Sequence, residues 1–227
     1  MSQTEPKILW TEVTKFVGQL NHDLRNHLNA VELQAAFLNE ICEDTEAKAE
    51  ISRLRGMTGE MSAQLLRLSA SLARIKVTTM AYQASEFVDD LQAKLALELP
   101  EEAAAIEWQT SLGEEALEID PQLLQEAFLE LFRNAFTHGR GDGGLVFAAH
   151  AAGEKLEFIL REPKATFQIS TENWGARPFG QIRHGHYGLG LFRARGIFEA
   201  HHGNFQALFD PTASALVTTV SLPRLNS

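Results

Sequence analysis

The chain has 227 residues, 44% of them hydrophobic and 22% charged, which is ordinary for a globular protein with a sizeable core and fits two modest domains better than one. A net charge of −10 argues against a nucleic-acid binder, because a phosphate polymer would be repelled, and fits small ligands and protein partners. The single Cys42 excludes an intrachain disulfide framework. The N-terminus shows no secretory signal and no apolar run reaches the ~18 residues of a membrane span, so a cytoplasmic protein without a membrane segment is expected.

Residues 8 to 44 carry helical periodicity, with Trp10, Val13, Phe16, Val17, Leu20, Leu24, Leu28, Val31, Ala35 and Leu38 recurring mostly at steps of three and four. A second stripe runs through Ile51, Leu54, Met61, Leu65, Leu68, Leu72 and Ile75, with Thr58 in its one gap. The polar stretch Glu43–Glu46 between them is short enough for an antiparallel hairpin. One hairpin cannot bury both stripes, so pairing with a second copy into a four-helix bundle is expected.

Beyond Ile75 the texture becomes mixed. The pattern predicts a strand over Val77–Tyr82, a helix capped by Ser85 and stopped by Pro100, and a strand over Ile106–Thr110. Asp120–Pro121 opens a helix, side-chain cap followed by Pro at the first turn, that runs to about His138 and a glycine-rich end. Leu145–Ala149 and Leu156–Arg161 read as a hairpin across Gly153, and Phe167–Ser170 as a further strand. After an irregular stretch from Thr171 to Tyr187 come a helix over Leu189–His201 and strands near Asn204–Phe209 and Ala215–Leu222. The fold class is therefore α+β, a helical hairpin followed by an α/β sandwich of one sheet covered by helices.

Three segments carry chemistry. In Asn21-His22-Asp23-Leu24-Arg25-Asn26-His27-Leu28, residue 22 points away from the stripe of Leu20 and Leu24, since helical neighbours rotate by ~100°. An exposed His22 beside Asp23 has one ring nitrogen held by the carboxylate and the other open as a nucleophile, and Asn26 stands one turn on. For a lone His-Asp pair the ordinary reading is a solvated surface. Glu130, Asn134 and His138 lie four apart on one helical face, and an oxygen pair so placed can share a hard divalent ion, although alone it is more often a solvated face. Gly185, Gly188, Leu189 and Gly190 precede a helix, where bare N–H groups and the helix dipole favour phosphate.

Together these segments resemble three boxes of the two-component histidine kinases, in the same order. His22, Asp23, Leu24, Arg25, Asn26 and Leu28 match the phosphoacceptor pattern His-Glu/Asp-Leu-Arg-Thr/Asn-Pro-Leu, with His27 in place of Pro. The Glu126–His138 stretch resembles the N-box, with Thr137 where many kinases carry Lys, and Gly185–Gly203 resembles the G2 box and its following helix. The resemblance implies His22 as phosphoacceptor, with Asp23, Asn26 and Glu130 assisting. It implies ATP held by Asn134, Glu162, Gly185, Gly188, Leu189 and Gly190, with Mg²⁺ on Asn134. The family's adenine box, Asp-x-Gly-x-Gly, is replaced by Glu162-Pro163-Lys164-Ala165-Thr166. Here the acid is one methylene longer, and the Lys164 and Thr166 side chains project where the nucleotide needs space.

The expected organisation is a dimerisation and phosphoacceptor domain over 1–78 and an ATPase-like domain over 79–227. The first functional reading is a soluble histidine kinase core, homodimeric, passing phosphoryl from ATP to His22 and on to an aspartate of a response-regulator receiver domain. It is placed first because the N-box and G2 box would erode together once nucleotide was lost. The alternatives are an ATP-independent phosphotransferase between receiver domains and a non-catalytic dimeric adaptor. His184, His186, His201 and His202 are explained by a loop and a helix end rather than by a metal.

Overall fold

The structure is a computed structural model that describes residues 9–137, 141, 143–167, 170–172, 174–178 and 188–225. It divides into two compact units, Met1–Arg74 and Ile75–Ser227.

The first unit is a helical hairpin. Helix α1 spans Trp10–Ile41 and α2 spans Thr45–Leu72. Asp44 starts α2 by accepting the Glu46 N–H on its side chain at 2.9 Å. The helices run antiparallel: Glu32 pairs with Arg55 at 2.7 Å near the turn, and Asn21 bonds Ser69 at 2.9 Å towards the open end. With His27 where a kinase carries Pro, α1 continues unbroken through the His22 region. Only Asn21, Ala35 and Thr58 are buried in the hairpin, all small or polar. The stripe residues Leu20, Leu24, Val31, Leu38, Leu54 and Met61 stay exposed, so a single hairpin leaves much of its apolar seam uncovered.

The second unit is a two-layer α/β sandwich. Its strands are β1 (Met80–Gln83), β2 (Ile106–Ser111), β3 (Ala116–Ile119), β4 (Leu145–Ala152), β5 (Lys155–Pro163), β6 (Asn204–Asp210) and β7 (Ala215–Pro223). Its helices are α3 (Ala84–Glu98), α4 (Pro100–Ala103), α5 (Pro121–Thr137) and α6 (Gly190–Ala200). Five strands form one sheet in the order β2-β4-β5-β7-β6, antiparallel except for β2–β4, while β1 and β3 form an antiparallel pair. Residues alternate along β5 so that Leu156, Phe158 and Leu160 are buried against the helices. Phe128 of α5 is the hub of this core, with ring centroids 5.9 Å from Phe147, 5.3 Å from Phe158 and 5.2 Å from Phe198.

Several local expectations shift. The first strand lies at Met80–Gln83 and starts three residues later than Val77, because it pairs with β3, a strand too short and acidic to stand out in the sequence. Ser85 is not a cap: α3 begins at Ala84 after Gln83, which gives no side-chain cap, so Ser85 sits inside the first turn. Pro100 does stop α3, and it also opens the short α4 as its first residue. Asp120 caps α5 as expected, its carboxylate accepting the Leu123 N–H at 3.1 Å. The strand expected over Phe167–Ser170 does not form at Phe167 or Ser170, and its two middle residues lie outside the described residues.

Candidate functional site

The hairpin presents His22 with its side chain two-thirds exposed (67%). Neighbouring Asn21 is only 2% exposed, so consecutive residues of α1 face opposite ways, as helical rotation requires. His22 Nδ1 lies 3.2 Å from Asp23 Oδ1, and Asn26 Nδ2 lies 3.4 Å from the same ring nitrogen. The Asp23 carboxylate can only accept, so its contact with Nδ1 is a hydrogen bond in the tautomer that carries the proton there, and in that tautomer Nε2 keeps its lone pair. Asp23 is itself oriented by Gln19, whose Nε2 donates to Oδ1 at 2.8 Å. An exposed imidazole oriented by a carboxylate can act as a nucleophile towards a phosphoryl group.

In the second unit, α5 and α6 bring the other two boxes together. Glu130 and Asn134 are half-buried on α5, next to buried Leu131 and Ala135. Gly188 has φ +64°, a left-handed turn that glycine adopts without strain, and it leads through buried Leu189 into Gly190, the first residue of α6. A Cβ on Gly190 would fall inside the Glu130 carboxylate, so with Glu130 in this position only glycine fits. Arg193 of α6 reaches Glu126 of α5 at 3.6 Å. Gly185, His138, His184 and His186 lie outside the described residues.

At the end of β5 the geometry departs from an adenine site. Glu162 and Lys164 are each only 6% exposed, and Lys164 Nζ lies 2.6 Å from Glu162 Oε1. The ammonium also sits over the Phe167 ring, 5.7 Å from its centroid, and that ring packs on Trp174 at 5.6 Å and Phe209 at 6.2 Å. A carboxylate that already holds a buried ammonium does not fit an adenine amino group. Asn134, Gly188 and Gly190, where phosphate was expected, lie on the facing segments of α5 and α6.

His201 is buried in the fold. Its Nε2 accepts the Asp120 N–H at 3.0 Å, and Nδ1 lies 2.8 Å from the Ile197 carbonyl, so the ring bridges the start of α5 to the end of α6. No group of three or more metal-ligating side chains occurs among the described residues. Nor is any helix among them long and apolar enough to cross a membrane. Sequence reasoning missed three features: Asn21, whose polarity hid its burial on the hairpin, the pairing of Lys164 with Glu162, and the bridging role of His201.

No protein-family model matches the chain, and no curated protein matches it. Solved structures do. ShkA, determined full-length in complex with AMPPNP, superposes with a TM-score of 0.71 at 16% identity over 94% of this chain. That match spans 46% of ShkA, so this chain is less than half its length. The mycobacterial sensor histidine kinase MprB matches with a TM-score of 0.53 at 15% identity, over 66% of this chain and 100% of MprB. The Acinetobacter baumannii histidine kinase AdeS matches with a TM-score of 0.51 at 17% identity, over 90% of this chain and 98% of AdeS. The chain thus has the fold of the sensor histidine kinases, a helical hairpin followed by an ATPase-type α/β domain.

Proposed function

We propose that this protein is a histidine phosphotransferase whose His22 exchanges phosphoryl groups with aspartates of response-regulator receiver domains. The observation that carries it is the exposed His22 imidazole with Nδ1 turned to Asp23 at 3.2 Å. In the transfer, the Nε2 lone pair attacks the phosphorus of a receiver aspartyl phosphate and the P–O bond to the aspartate breaks, releasing its carboxylate. The proton stays on Nδ1, where the Asp23 carboxylate offsets the positive charge that develops on the ring. Transfer to a second receiver is the same step in reverse.

Around this step we place a phosphoacceptor domain over 1–78 and an ATPase-like domain over 79–227, working as a cytoplasmic homodimer that receives its signal from a separate sensor protein. The uncovered seam of Leu20, Leu24, Val31, Leu38, Leu54 and Met61 supports the dimer, since a second hairpin would bury it. The ATP-fed kinase, with Mg²⁺ at Asn134, is the second reading, favoured by the approach of Glu130 to Gly190 that keeps the phosphate end intact.

The test uses receiver domains phosphorylated with labelled acetyl phosphate and the full chain as acceptor. Acid-labile label should appear on the wild type and be absent from His22→Gln. Label persisting in that variant would overturn the assignment and point to His27. Label reaching the wild type from MgATP and from no receiver would replace the proposal with the kinase reading.

A further inference from the structure

A lysine ammonium is almost never buried unless a carboxylate compensates it, because removing it from water costs several kcal/mol. Lys164 finds that compensation in its own segment: Glu162, two residues earlier, supplies a carboxylate at 2.6 Å and Phe167, three residues later, supplies a ring face. The backbone is pinned as well. Lys164 N–H donates to the Ser214 carbonyl at 2.8 Å, and the Pro163 carbonyl accepts the Gly141 N–H at 2.8 Å, so the chain leaving α5 lies directly against this turn. A Cβ on Gly141 would stand 3.1 Å from the Pro163 carbonyl oxygen, so the two segments pack tightly here.

We propose that Lys164 is the resident occupant of the adenine end of this domain: its ammonium takes the place beside Glu162 that a purine amino group would need, and so closes the domain to adenine nucleotides. This deepens the function proposed above and rests on its reading of the second unit as a nucleotide-domain fold. Both a purine amino group and an ammonium are N–H donors to a carboxylate, but the ammonium is charged, covalently tethered and already desolvated, so it wins the acceptor without any loss of translational freedom. The phosphate end is not what fails. Asn134, Gly188 and Gly190 are present, and the exclusion acts through a single side chain.

The experiment is calorimetric titration of the full chain with MgATP, comparing wild type, Lys164→Gly and the double variant Glu162→Gln/Lys164→Gly. The wild type should give no saturable binding up to about 1 mM, a dissociation constant beyond which little binding energy remains. Lys164→Gly should tighten binding by about 10- to 100-fold, the worth of one charge-assisted hydrogen bond. The double variant should lose that gain. Wild type binding as tightly as Lys164→Gly, a folded Lys164→Gly that still does not bind, or a gain that survives in the double variant would each overturn the proposal. Lys164→Ala makes the same comparison if glycine prevents folding. Acylation of the wild type, read by peptide mass spectrometry, adds a readout that needs no variant: Lys164 should react far more slowly than exposed Lys76, and equal rates would refute its burial. Labelling of His22 from receivers is measured separately on the wild type, so failure of either proposal leaves the other standing.

Discussion

Asn21 Nδ2 donates to Ser69 Oγ at 2.9 Å across the hairpin, one residue before His22. The same amide reaches the Leu65 carbonyl at 3.4 Å. A part-buried polar pair at this level fixes the register of α1 against α2 beside His22, because any slip would leave the amide without its partner.

Asn21→Ala is therefore expected to cost about 1–2 kcal/mol of stability, the worth of a satisfied buried amide. The double variant Asn21→Leu/Ser69→Ala, which makes both positions apolar, should recover most of it. Urea denaturation of wild type, Asn21→Leu, Ser69→Ala and the double variant in a double-mutant cycle reads the coupling, and additive costs would refute a direct bond.

Asp23→Asn keeps the shape of the contact but removes the charge that holds Nδ1–H and offsets the phosphorylated ring. Phosphoryl uptake by His22 should slow by roughly 100-fold, the usual range for losing an orienting carboxylate, with the thermal midpoint nearly unchanged. Quenched-flow transfer from a labelled receiver measures this. An unchanged rate would show that the 3.2 Å contact is incidental to chemistry.

Gly190→Ala places a methyl group inside the Glu130 carboxylate, so α5 and α6 must separate or Glu130 must leave its place. A cost of about 1–3 kcal/mol is expected for such overpacking. Adding Glu130→Ala should relieve it. Calorimetric melting of the single and double variants distinguishes this from a simple loss of helix-start flexibility, which Glu130→Ala would not repair.

The Tyr82 hydroxyl donates to Asp90 Oδ2 at 2.5 Å. That hydrogen bond, then partial desolvation and the negative charges of Asp90 and Glu86, raise the phenol above its ordinary value of 10.0. Because the folded value is the higher one, the contribution to stability is fully present below pH 10.0 and is lost as pH rises through the raised folded value. Ultraviolet titration of wild type minus Tyr82→Phe should show a midpoint above 10.0, and Asp90→Asn should bring it down. A midpoint at the ordinary value in the wild type would show that the bond does not persist in solution.

What the sequence determined by itself is what depends on neighbours along the chain. Heptad spacing and the Glu43–Glu46 break delimit the hairpin, and the Asp120–Pro121 pair marks the start of α5, because periodicity and capping act within a few residues. The exposure of His22 follows from the same local rotation. The tertiary structure alone decided what depends on distant segments. β3 exists because β1 pairs with it, Asn21 is buried because Ser69 lies opposite, and His201 is a bridge because Asp120 lies 81 positions away in sequence. Lys164 shows the division most clearly. Its place in the degenerate box, where a side chain takes the space of a glycine, is plain from the sequence, but its pairing with Glu162 is not. Only the folded chain, closing Ser214 and Gly141 around it, turns the ammonium inward onto Glu162, because burying a charge becomes favourable only where a partner and a complete enclosure are assembled together.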